Sequence, residues 1–108
     1  MYQLVFYVPQ THCESVKLAL FETGAGRIGN YDQCAWQVLG LGQFRPLKNS
    51  DAFIGKINQL EKTQEYRVEM VCEKKIIKKA LQALLKNHPY HTPAYSVFEV
   101  KTIDEFSA

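Results

Sequence analysis

The chain is short of most features that announce a function. No apolar run approaches the roughly 20 residues needed to cross a bilayer, so no membrane partner is expected. Cysteine is scarce: Cys13, Cys34 and Cys72 are an odd number with wide spacing. That excludes a disulfide framework and a zinc knuckle, and fits a reducing, cytoplasmic setting. No charge excess exists either, since 13 basic against 11 acidic residues leave +2. A balance this even argues against a nucleic-acid partner. The first nine residues lack both a basic start and a small-residue cleavage site, so no secretory signal is expected. What remains is an ordinary globular composition: 108 residues, 46% hydrophobic. A chain of that length supports one domain and one core, burying about 65% of the surface its unfolded form exposes.

Glycine is concentrated where it misleads. Gly24-Ala25-Gly26-Arg27-Ile28-Gly29 fits the letters of the dinucleotide fingerprint G-x-G-x-x-G. That fingerprint requires a strand running into the glycines and a helix leaving them, so that helix N–H groups face a pyrophosphate. Here a helical pattern (12–23) enters and an extended one (32–40) leaves. Gly24 is therefore expected to end a helix in the left-handed conformation, where the partial charge is negative and repels phosphate.

The remaining pattern predicts alternating elements. Tyr2–Val8 reads as a strand with apolar residues at every even position. Thr11-x-x-Glu14 reads as a capping box opening a helix whose stripe is Cys13, Val16, Ala19, Leu20 and Thr23, widened by Phe21. Residues 32–39 form a second strand, with Cys34, Trp36 and Val38 on one face. Gly40 and Gly42 suggest a bulge or a close backbone approach. Residues 48–51 are a loop, Phe53 and Ile54 tether it, and 57–61 predicts a short strand. A clearer strand covers 65–73, with Tyr66, Val68, Met70 and Cys72 inward. Lys74–Asn87 carries the strongest helical periodicity, closed by His88 and Pro89. A last strand spans 94–100, and 101–108 is a polar tail. The order βαββαβ predicts an α+β, ferredoxin-like sandwich with both helices on one face of an antiparallel sheet. Its long middle hairpin leaves strand edges to pair with another subunit.

Four motifs in this order carry a resemblance. Val16-Lys17-x-Ala19-Leu20-Phe21-Glu22-x-Gly24-Ala25-Gly26-x-Ile28-Gly29-Asn30-Tyr31-Asp32, Gly40-x-Gly42-Gln43-Phe44-Arg45-Pro46, Glu65-x-Arg67-x-Glu69 and His88-Pro89-Tyr90 resemble the domain inserted in YqfO-type, Nif-three-like proteins. The resemblance covers nearly the whole chain and implies a single CutA/PII-like domain, a fold that assembles as trimers through extended strands. The family's dinuclear metal ligands lie in flanking halves that have no counterpart here, so the resemblance carries no metal-hydrolase chemistry over. Two positions depart from the family pattern: His91 replaces a Glu after His-Pro-Tyr, and Ser96 replaces an Asp.

Candidate sites follow. His88 and His91 could hold a divalent transition metal, with further ligands from Cys34, His12 or another subunit. The competing role for His88 is to close the helix C-terminus. Cys13, in a first helical turn, is a candidate reactive thiol, although free cysteines are usually core residues. The lysines at 74, 75, 78, 79 and 86 form a solvated helix face. Arg27 and Asn30 beside one glycine loop, with Gln43 and Arg45 beside the other, outline a small-molecule cleft between subunits. No nucleophile–base pair or carboxylate dyad can be assembled, so no enzyme activity is expected. The expected protein is a homo-oligomeric, trimeric regulatory module that binds a small effector or a protein partner. The alternative is a metal-binding protein using His88 and His91 at a subunit boundary.

Overall fold

The computed structural model describes residues 1–107. In chain order the elements are β1 (Tyr2–Pro9), a 3-10 turn (Gln10–His12), α1 (Cys13–Glu22), β2 (Trp36–Phe44), β3 (Glu61–Cys72), α2 (Lys74–Asn87), β4 (Tyr95–Glu99) and a closing 3-10 turn (Ile103–Glu105). The strands form one antiparallel sheet in the order β2-β3-β1-β4. This is the expected ferredoxin-like plan.

Strand pleating sorts the chain into two faces. Even positions of β1 pair with even positions of β3 (Leu4 with Met70, Phe6 with Val68), and their side chains share one side. Leu4, Phe6, Val8, Val68, Met70 and Cys72 join Cys13, Val16 and Leu20 of α1 and Ala80 and Leu84 of α2 in a single buried cluster. Both helices therefore cover the same face. Gln37, opposite Val68, also lies on that face, where Lys17 Nζ donates to its Oε1 at 2.8 Å. The other face carries Gln3, Val5 and Tyr7 from β1, Arg67, Glu69 and Val71 from β3, Trp36 and Val38 from β2, and Phe98 from β4. No helix covers it.

Several local expectations change. The Thr11–Glu14 capping box does not form: Thr11 Oγ1 bonds His12 Nδ1, and the 3-10 turn leads straight into α1. Glu14 is taken by Lys17 at 3.0 Å. β2 starts at Trp36 rather than Asp32, because Gln33 turns the chain at φ 55° and the Cys34 N–H is spent on the Gly26 carbonyl. Pairing runs unbroken through Gly40, Leu41 and Gly42, so there is no bulge. The close approach is what the structure shows: a Cβ on Gly42 would occupy the space of the Glu65 carboxylate. Residues 57–60 are not a strand, and β3 takes up only Glu61. The tail is not uniformly polar. Its turn, held by the Thr102 and Glu105 backbones, leaves Ile103 and Phe106 exposed.

The β2–β3 hairpin extends the body to 55 × 25 × 24 Å. The radius of gyration is 15.4 Å, where a compact domain of this length has roughly 13 Å. The glycine loop closes the opposite end. Gly24, at φ 103°, ends α1 and donates to the Phe21 carbonyl. Gly26 donates to Val71, fastening the loop to the end of β3, while Gly29 and Asn30 make the tight turn between Ile28 and Tyr31.

Two of these glycines separate conformational from steric demand. Both have positive φ, but a Cβ on Gly29 meets nothing within 4 Å, whereas one on Gly26 lies 2.9 Å from the Cys34 carbonyl oxygen. Gly29→Ala should cost about 1 kcal/mol, the left-handed penalty alone. Gly26→Ala should cost clearly more, because backbone must move as well. Urea denaturation of the two variants measures the difference.

Candidate functional site

The most densely interconnected side chains outside the core gather at the hairpin base, where β1 ends and α2 turns back toward β4. The backbone turn after α2 places His88 under the sheet. Its Nδ1 accepts the Tyr90 N–H at 3.0 Å. Its Nε2 must then be protonated, and it donates to the Tyr7 carbonyl at 2.7 Å. His88 is buried, and desolvation lowers its pKa below the ordinary 6.5, with the Tyr7 hydrogen bond opposing that shift and His12 reinforcing it. Tyr90 stacks within 4.9 Å of His88 and 5.9 Å of Phe44, and Phe53 bridges Tyr90 and His12. The tether expected of Phe53 is therefore made to His12 and Tyr90. The Tyr90 hydroxyl is buried beside the Glu65 carboxylate, outside the geometry of a regular hydrogen bond. Burial and the nearby Glu65 carboxylate push its pKa up, so it stays protonated.

This arrangement decides the role of His88. Both ring nitrogens are committed to backbone groups, leaving no lone pair for a metal. Its side chain is a strut joining the end of α2 to the end of β1, and its backbone N–H, donated to the Leu84 carbonyl, closes the helix C-terminus. His91 is exposed and its Nδ1 faces the Ser50 carbonyl at 2.9 Å. Among the described residues no three His, Cys, Asp or Glu side chains form a cluster able to hold a metal.

Arg27, Asn30, Gln43 and Arg45 are all exposed but do not converge within one chain. Gly26 is fastened to Val71 and Gln43 pairs with Lys62, nine residues apart on β3. At the usual rise per strand residue that is about 30 Å. Gln43 and Arg45 stand at the loop end of the hairpin, where the 46–57 connection forms a recess of about 530 Å³ between Pro46, Ser50, Gly55 and Ile57. Arg27 and Asn30 lie at the far end.

Two of the cysteines are core residues. Cys13 and Cys72 are buried, as expected of free cysteines, and desolvation raises both thiol pKa values, against the alternative of a reactive Cys13. Cys34 is only half-buried and lines a recess at the edge of the open face with Trp36 and Ile28. On that face Gln3 donates to Glu69 at 2.6 Å, and Arg67 sits 5.9 Å from the Tyr7 ring centroid and 3.9 Å from Glu69. Trp36 and Phe98 are more than half exposed, and Val38 nearly half. Trp36 and Val38 were legible as one strand face. Glu65 and Tyr90 stood in the quoted motifs without a role, and Phe98 was not singled out, because their importance depends on which strands become neighbours.

An uncovered four-stranded antiparallel sheet in this order, with two helices behind it, defines an α+β sandwich of the CutA/PII-like kind. The PII-like protein CutA from Nostoc sp. PCC 7120 superposes with a TM-score of 0.68 over 98% of this chain and 86% of its own, at 17% identity, a likeness of fold alone. No family model matches the chain. The chain is 40% identical over 99 residues to the GTP cyclohydrolase 1 type 2 homolog of Bacillus subtilis, matching 92% of its own length and 26% of the relative's. The Bacillus cereus protein related to NIF3 is 35% identical, with a TM-score of 0.80 over 94% of this chain and 26% of that one. The chain thus spans about a quarter of the length of these relatives and is homologous to one domain-sized segment of NIF3-related proteins, as its motifs implied. Among the described residues no helix is long and apolar enough to cross a membrane.

The strut role of His88 has a pH signature. A histidine whose folded pKa lies below its unfolded value binds fewer protons when folded. Its stabilising effect is complete above pH 6.5 and is lost as pH falls from there through the folded-state pKa. Denaturant midpoints should therefore drop below pH 6.5, and less so in His88→Gln. His88→Ala, which strands the Tyr7 carbonyl, should cost about 2 kcal/mol at pH 7.5, with or without a chelator.

Proposed function

We propose that the chain is a non-catalytic regulatory module that works as a homo-oligomer, a trimer by analogy of fold, and binds a small effector or a protein partner at its subunit boundaries. One observation carries this reading: the sheet face opposite the helices exposes Trp36, Val38 and Phe98 around a polar centre of Gln3, Tyr7, Arg67 and Glu69. Apolar residues gathered on one face mark an interaction surface. Copies of the same chain are its natural cover, since the elongated hairpin also leaves the β2 edge unpaired. Effector binding is assigned to the loop end of the hairpin, where Gln43 and Arg45 precede the 46–57 loop and its recess; Arg27 and Asn30 belong to a separate boundary. Homology to a segment of the NIF3-related proteins supports a role as a module, and the nucleotide chemistry in those relatives' names is not assigned to this segment.

Sedimentation equilibrium tests the assembly. The expected mass is three times the 12.4 kDa of the chain. Val38→Asp, which sets a charge in the apolar border of the open face, should weaken self-association at least tenfold without lowering helicity. A monomer at every concentration overturns the proposal.

A further inference from the structure

We infer that the closing 3-10 turn of one copy seats Ile103 and Phe106 in the recess beside Trp36 of a neighbouring copy, an inference that rests on the self-association proposed above. The turn is ordered, with the Glu105 and Phe106 N–H groups bonded to Thr102 and Ile103, and the Thr102 N–H facing Glu105. Yet it holds its two large apolar side chains away from its own core, Ile103 at 82% exposure and Phe106 at 64%. A preorganised turn with nothing to pack on loses little entropy on docking.

The recess has matching chemistry and a matching level. It has a volume of about 310 Å³ and is lined by Ile28, Cys34, Ala35, Trp36, Met70 and Val71, with Gln3 and its hydrogen-bonded partner Glu69 as the polar groups. Ile28 and Trp36 are each more than half exposed in the single chain. Gln3 pairs with Val71 on one side and Phe98 on the other, and Val100 bonds Met1. The turn and the recess therefore stand at the same end of the sheet. They lie toward opposite borders, since the turn follows β4 while the recess is bounded by β2. Rotation about an axis along the strands brings the β4 border of one copy to the β2 border of the next without a change of level. Head-to-tail contacts of that kind close into a ring when the rotation per copy divides a full turn.

Trp36 is the only tryptophan, so it reports on its own recess. The test compares the wild-type chain with Ile103→Asp/Phe106→Asp and with the conservative Ile103→Leu/Phe106→Leu, by sedimentation mass and by acrylamide quenching of Trp36. Expected are a shielded, blue-shifted Trp36 in the wild type and the Leu variant. In the Asp variant, quenching should rise severalfold, emission should shift to the red, and self-association should weaken at least tenfold, with unchanged far-ultraviolet dichroism. An assembled Asp variant whose Trp36 stays as shielded as the wild type's overturns the tail docking alone. A monomeric wild type overturns the self-association and the docking together.

Discussion

The structure depends on a simple shortage: two helices can cover one face of a four-stranded sheet, and the sheet has two. The alternating side chains of β1 make the consequence unavoidable. Leu4, Phe6 and Val8 find α1 and α2 above them, while Gln3, Val5 and Tyr7 face away from both. Val5 is buried even so, under its neighbours on the open face. Around it the chain places a hydrogen-bonded polar group, Gln3–Glu69 with Arg67 and Tyr7, bordered by Trp36, Val38 and Phe98. A polar centre within an apolar border fixes register between partners better than a uniformly greasy surface would.

The two ends of the sheet are built by different means. At one end glycines allow a turn that no side-chain-bearing residue would follow easily, and Gly26 lets the loop fasten to Val71. At the other, His88 spends both nitrogens on backbone groups of β1 and of its own turn, and Tyr90, Phe44, Phe53 and His12 pack as a small aromatic layer. Gly42 belongs to this second construction, because its missing side chain is the space in which Glu65 lies. The hairpin can project from the body because its root is held in this way.

Legibility in the sequence followed the range of the forces involved. α2 was read to the residue, Lys74–Asn87, because its periodicity and its proline stop are local. The start of β2 was misplaced by four residues, since a left-handed Gln33 and a bond from Cys34 to Gly26 left no trace in composition. The capping box at Thr11 had the right letters but lost to a 3-10 turn and to Lys17, which took Glu14. The His88–His91 pair suggested a metal because imidazoles in sequence carry no record of their partners. Arg27 and Asn30 seemed companions of Gln43 and Arg45, yet the length of β3 lies between them.

The order of elements, the faces of β1 and β3, the end of α1 at Gly24 and the end of α2 at Pro89 were determined by the sequence alone. Each follows from a backbone preference or a periodicity that acts over a few residues. Only the tertiary structure decided which sheet face lies bare, that His88 has no lone pair to give, that Cys34 is not a core residue and that Ile103 and Phe106 stand free. Those properties depend on which distant strands become neighbours, and no local preference encodes a neighbour sixty residues away.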